Sequence, residues 1–134
     1  MRERSRLPTS ALVVDTKTLL MQAIQRLARH QYWWFTTGYV PIAKALAFER
    51  KMRDLYLTDL DYTARWERKK LGLGNARLLL WQPDAPVGDL FFVLLVSSGK
   101  HSARVLERLH DMREPGHRIE ITGYEVVQRC RGGR

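Results

Sequence analysis

Between positions 16 and 30 the apolar residues Leu19, Leu20, Ala23, Ile24, Leu27 and Ala28 recur at three- and four-residue spacing. That spacing predicts a helix with one buried face, and Asp15 or Thr16 is placed to cap its first turn. Residues 32–40 are dense in aromatic and β-branched side chains and predict a strand. Pro41 suits the first turn of a helix, where its missing N–H is not needed. Ile42, Ala45, Leu46, Met52, Leu55 and Tyr56 give that helix its apolar stripe. Thr58 is expected to cap a second helical segment reaching about Leu71, with Asp59 and Asp61 favouring its first turn. Gly72, Gly74 and Asn75 then stop it.

Residues 76–82 predict a strand and 83–88, with two prolines and a glycine, a turn. Residues 89–96 form an almost unbroken apolar run, as expected of a strand covered on both faces. From Ser97, Ser98 and Gly99 a helix is expected to reach about Met112, buried through Val105, Leu106, Leu109 and Met112. Residues 117–127 alternate as a last strand. Ile119 and Ile121 lie in one phase and Tyr124 and Val126 in the other, which predicts a β-bulge at Gly123.

After the first helix the order is strand, two-part helix, strand, strand, helix, strand. This is the βαββαβ order of an α+β, ferredoxin-like fold with an antiparallel four-stranded sheet and an additional N-terminal helix. Its two central strands would be residues 32–40 and 90–96, the most apolar and aromatic segments. Residues 1–14 read as a basic flexible arm, 15–128 as a single domain and 129–134 as a basic tail.

Charge changes the picture from fold to partner. The 134 residues carry 23 Lys and Arg against 14 Asp and Glu, a formal net charge of +9, which favours an anionic partner. The single cysteine, Cys130, excludes an internal disulfide and a Cys-cluster metal site, and points to a reducing compartment. The apolar stretch 11–14 is too short for a signal peptide, and no run nears the roughly 18 apolar residues of a membrane span, so a cytoplasmic protein without a membrane partner is expected.

No catalytic signature is legible. There is no phosphate-binding Walker loop, no dinucleotide fingerprint after a strand and no H-E-x-x-H pair. The G-x-G at 72–74 follows a helix. His30, His101, His110 and His117 contain no H-x-H pair, and Asp59 and Asp61 read as helix-start acids, so neither catalytic residues, nor a metal, nor a cofactor are expected. Metal-independent RNA cleavage needs only a base, an acid and a cation near the phosphate, and His30 or His101 with Tyr32 and Lys100 could supply them.

The basic residues gather in sets: Arg50, Lys51 and Arg53; Arg65, Arg68, Lys69 and Lys70; and Lys100, Arg104 and Arg108. The last set is spaced i, i+4, i+8, one stripe along the expected helix. A polyanion laid along it would relieve the mutual repulsion and release counterions, although a solvated helix face needs no ligand. Tyr32, Trp33, Trp34 and Phe35 on one central strand, with Phe91 and Phe92 on the other, resemble the arrangement of base-stacking sheets. Trp34 is the candidate stacker, and core packing is the plainer role for the rest. Trp66, among Arg65, Arg68, Lys69 and Lys70, is a second indole beside cations. Arg2, Arg4 and Arg6 ahead, and Arg129, Arg131 and Arg134 behind, add charge at both ends.

Residues 75–81, 91–96 and 118–127 resemble small, largely uncharacterised proteins carried by conjugative plasmids and integrative elements of proteobacteria. The likeness spans roughly residues 30–128, and implies a mobile-element setting in which DNA or RNA is handled. It carries no catalytic residue across. The sequence thus predicts a non-enzymatic nucleic-acid-binding protein, of single-stranded DNA or RNA, using Lys100, Arg104, Arg108, Arg65, Arg68, Lys69, Lys70 and Trp34. Alternatives are a protein-interaction subunit or inhibitor of a nucleoprotein or host-defence complex, and a metal-independent endoribonuclease resembling the CRISPR repeat-processing type. Oligomeric state is not legible.

Overall fold

A computed structural model describes residues 12–14, 16–82, 89–114, 119–121 and 124–126. Its elements are β1 (Leu12–Val14), α1 (Lys17–Ala28), β2 (Trp34–Pro41), a 3-10 turn (Ile42–Lys44), α2 (Ala45–Tyr56), α3 (Tyr62–Lys70), β3 (Ala76–Trp81), β4 (Asp89–Val96), α4 (Ala103–Leu106), β5 (His110–Asp111), β6 (Ile119–Ile121) and β7 (Tyr124–Val126). The chain is α+β. The main sheet runs β1-β3-β4-β2-β5; its pairs are antiparallel except β1 with β3, which is parallel.

The first helix forms as its spacing dictates. Thr16 Oγ1 accepts from Leu19 N–H at 3.0 Å, and Leu20, Ala23, Ile24, Leu27 and Ala28 are buried while Leu19 faces out. Alternation along the strands divides the core in two. On the α1 side, Phe35, Leu79, Trp81, Phe91, Val93 and Leu95 pack with the helix. On the α2 side, Val40, Leu78, Leu80, Leu90, Leu94 and Val96 pack with Ala45, Met52 and Tyr56. Each fully buried Leu, Val or Phe contributes about 1.5–3 kcal/mol, so both faces are strongly held. Helix α2 presents Glu49 and Phe48 to the sheet side, and leaves the expected Leu46 and Leu55 largely exposed.

The sheet departs from the expected ferredoxin-like one at both edges. Residues 12–14, expected within the flexible arm, are a strand paired with Leu79–Trp81. At the other edge, the strand expected from residues 117–127 is replaced by the two-residue β5, which pairs Asp111 with Trp34 and His110 with Phe35. Residues 119–126 instead fold on themselves: β6 pairs with β7 in a separate two-stranded sheet, Ile121 opposite Tyr124 and Ile119 opposite Val126. The position of the expected bulge, Gly123, lies outside the described residues. The arm 1–11, the turn 83–88 and the tail 129–134 lie outside the described residues.

The helix expected to reach Met112 is the single turn α4. Ser102 makes no side-chain cap, and Glu107 is extended at φ −121° and ψ 154°. A longer helix would have consumed the residues that reach the sheet edge, where Met112 N–H donates to Trp33 O at 2.9 Å. Strand pairing prevailed over helical spacing. Consequently Val105 and Leu106, expected in the core, are 84% and 59% exposed. Helix α3 is capped by Asp61, whose Oδ1 accepts from Ala64 N–H at 2.8 Å, and not by Thr58, which is buried. Helix α2 ends at Leu57, in left-handed conformation at φ 58°.

Candidate nucleic-acid interface

Helix α3 and the loop 97–100 position two clefts. They meet where residues 72–75 and 97–100 run against each other: Gly74 N–H donates to Lys100 O at 2.7 Å and Lys100 N–H to Gly72 O at 3.1 Å. Gly99 has φ +113°, and a Cβ there would lie 2.7 Å from Gly74 N and Leu73 C. Only a residue without a side chain allows that approach. Gly72, at φ +79°, follows the last turn of α3 as expected of a helix stop; Gly74 serves the close approach to the 97–99 backbone.

The apolar cleft, about 590 Å³, is lined by Leu55, Leu57, Leu73, Val105 and three of the expected phosphate ligands, Arg68, Lys100 and Arg104. Two of these cations are already engaged. Arg68 donates to Gly74 O from Nε at 3.1 Å and Nη2 at 2.8 Å. Arg104 donates to Gly99 O and Ser97 O, each at 2.8 Å, and its guanidinium lies 4.0 Å from the centre of the Trp34 ring. Burial pulls the Arg104 pKa below its ordinary value. The stripe of Lys100, Arg104 and Arg108 therefore does not exist as one helix face: Lys100 lies in the loop, Arg104 on α4 and Arg108 beyond it, exposed.

Trp34 is likewise not an open stacking platform. Arg104 covers its ring, Arg113 lies 5.0 Å away, and the rest packs on the α2-side core. With α1 on one face and α2 on the other, most of the aromatic side chains of the sheet are covered, and among the described residues of β2 it is Tyr39, 57% exposed, whose ring stays largely open. Tyr32 precedes β2 and joins Phe35 in the α1-side core.

His101 is a core residue. Its Nδ1 accepts from Ala103 N–H at 3.0 Å, which leaves Nε2 to carry the proton and donate to Tyr56 O at 3.1 Å. Burial, with the charges of Arg68 and Arg104, holds its pKa below the ordinary imidazole value. Both ring nitrogens are occupied, so His101 does not fit the role of a general base. Tyr56 donates to Glu107 Oε2 at 2.5 Å, and burial followed by that carboxylate raises its pKa.

The basic cleft lies on the other side of α3, with a volume of about 560 Å³. It brings Arg65 and Lys69 of α3 together with Arg26 of α1 and Arg77 of β3, beside His30, Tyr62 and Trp66, and no described Asp or Glu lines it. None of the ion pairs Glu49–Arg53, Arg53–Asp59, Glu67–Lys70 and Asp111–Arg113 draws on these four cations. Arg65 Nη1 donates to Leu60 O at 2.5 Å, and Asn75 Nδ2 donates to Arg65 O at 3.1 Å, so α3 is tied to the start of β3. Burial is the main cause that lowers the Arg77 pKa; the charges of Arg65 and Arg26 add to it and the Tyr32 hydroxyl opposes it. These cations repel one another across a concave surface, and an anion seated there would relieve that repulsion.

Of the expected ligands, Arg65 and Lys69 belong to this cleft, Arg68, Lys100 and Arg104 to the apolar one, and Lys70 pairs with Glu67 while lying 4.1 Å from the Trp66 ring centre. Reading the sequence in clusters missed Arg26, Arg77 and Tyr62. Arg77 did leave a signal, as the single charge in the strand Ala76–Trp81. Among the described residues no group of His, Cys, Asp and Glu could hold a metal, and no helix is long and apolar enough to cross a membrane. No family model, curated protein or solved structure matches the chain.

Proposed function

We propose that the chain binds nucleic acid without cleaving it, and that the basic cleft holds the phosphate backbone. One observation carries the reading: Arg26, Arg65, Lys69 and Arg77 converge on a cleft whose described lining contains no carboxylate. Phosphates are the anions that a nucleic acid offers in closely spaced series, and contacts of this kind position a strand without reading its sequence. The setting proposed with it is a bacterial mobile element, the expectation drawn from residues 75–81, 91–96 and 118–127. We read β2, α2, α3, β3 and β4 as a ferredoxin-like core whose fourth strand is reduced to β5.

The test is fluorescence anisotropy with labelled single-stranded DNA, duplex DNA and RNA at about 50 and 200 mM salt. Binding should weaken steeply with salt, and the triple variant Arg26→Ala, Lys69→Ala, Arg77→Ala should lose most of it while retaining its fold. Absence of salt-dependent binding to all three would overturn the proposal. RNA incubated with the protein in chelator should be recovered intact; cleavage would favour the endoribonuclease reading through His30, which lines the same cleft.

A second reading, a protein-interaction subunit, is favoured by the exposed Leu57, Val105 and Leu106 on and beside the apolar cleft. Patches of this kind mark contact surfaces. Substituting Val105 and Leu106 by serine should leave nucleic-acid binding unchanged if the two surfaces act separately.

A further inference from the structure

Helix α3 presents two parallel rows to the basic cleft. Tyr62 and Trp66, four residues apart, form an aromatic row; Arg65 and Lys69, also four apart, form a cationic row about 60° round the helix. Tyr62 is 73% exposed and Trp66 49% exposed, high values for rings of that size on a surface that already has two packed cores. Lys70 lies 4.1 Å from the centre of the Trp66 ring and covers one of its faces. Arg26, Arg65, Lys69 and Arg77 line the cleft.

We infer that α3 is a single-strand platform: bases stack on Tyr62 and Trp66 while the phosphates between them follow Arg65 and Lys69, with Arg77 and Arg26 closing the far wall. This rests on the proposed phosphate role of the cleft and adds the class of strand. A strand laid along the helix meets one ring and one cation per turn. A duplex cannot use the rings, because its bases are stacked on each other and only its phosphates are presented. Every base has a flat π surface, so such a platform is tolerant of sequence. Lys70 lies over one face of the half-exposed indole, and the platform assigns the base to the other.

The experiment compares a short oligothymidylate with a strand of the same length built of abasic sites, and with a duplex, each at about 50 and 200 mM salt. The two single strands carry the same phosphates and differ only in bases. Wild-type protein should bind the oligothymidylate about tenfold or more tightly than the abasic strand, the size expected of base–aromatic stacking. Trp66→Ala should narrow the gap between the oligothymidylate and the abasic strand with the salt slope unchanged, Tyr62 keeping the remainder, and Trp66→Phe should restore much of what is lost. A thermal melt checks that both variants fold. Equal affinity of wild type for the two single strands, or an equal loss for both on Trp66→Ala, overturns the platform while leaving the phosphate reading intact. Failure of all three nucleic acids to bind in a salt-dependent way removes the phosphate reading itself.

Discussion

On one side of α3, Arg68 and Arg104 turn their guanidinium groups onto the carbonyl oxygens of Gly74, Ser97 and Gly99, and Arg104 also lies on Trp34. On the other, Lys69, Arg77 and Arg26 face a cleft with no described carboxylate to meet them. The two sets are alike in formal charge. Their difference lies in what each can still do. A guanidinium that donates to the carbonyls of neighbouring loops ties those loops together, and removing it gives up those charge-assisted bonds. In the basic cleft Arg77 meets the Tyr32 hydroxyl and Arg65 gives its Nη1 to Leu60 O, so these two keep their remaining donors for a ligand, beside Lys69 and Arg26. Net charge therefore gives no measure of binding until the hydrogen bonds of each cation are known.

The junction between the clefts is the most sensitive point. Gly99→Ala adds a Cβ 2.7 Å from backbone atoms of residues 73 and 74 at a φ of +113°, so a loss of about 2–4 kcal/mol is expected from strain and displaced packing. Urea denaturation measures it, and an unchanged midpoint would mean that the loops are not held so closely. Next in size is the double variant Arg68→Ala, Arg104→Ala. It should lower stability by about 1–3 kcal/mol through the lost charge-assisted hydrogen bonds, with little change in the salt slope of nucleic-acid binding. A normal melt together with a flattened slope would reverse the roles assigned to the two sides.

The smallest effect is the pH dependence of His101. Its folded pKa lies below the ordinary value of 6.5. The unfolded chain therefore binds the proton more readily, and acid favours unfolding. The stabilisation is fully present above about pH 6.5 and declines as pH falls from there through the folded value. His101→Asn, which keeps an acceptor near Ala103 N–H, should flatten the decline below about pH 6.5. An equally steep decline in the variant would show that His101 is not its cause.

Much of this was legible in the residues. The capped helix α1, the extended β2 and β4, and the glycine stop after α3 follow from spacing, propensity and conformational freedom. What was not legible was decided by long-range pairing. Residues 100–112 have a helical apolar spacing, but the edge of β2 offered hydrogen bonds to His110 and Asp111, and the chain left the helix to make them. The stripe of Lys100, Arg104 and Arg108 was lost with that helix. Residues 117–127 were read as one strand of the main sheet, whereas Ile119–Ile121 pairs with Tyr124–Val126, a pairing that periodicity alone does not reveal. Arg65, Lys69 and Trp66 were visible as a cluster on one short helix. Arg26 and Arg77 were not, because they join it from α1 and β3 only once the sheet has formed.

The most direct measurement is the salt dependence of single-strand binding in two matched double variants, each lacking two cations. If the free side of α3 holds phosphate, Lys69→Ala with Arg77→Ala lowers the slope of log affinity against log salt by about 1.4, while Arg68→Ala with Arg104→Ala leaves it at the wild-type value. Equal slopes for the two variants, or a loss confined to the Arg68 and Arg104 pair, would contradict the division of the cations between ligand and loop.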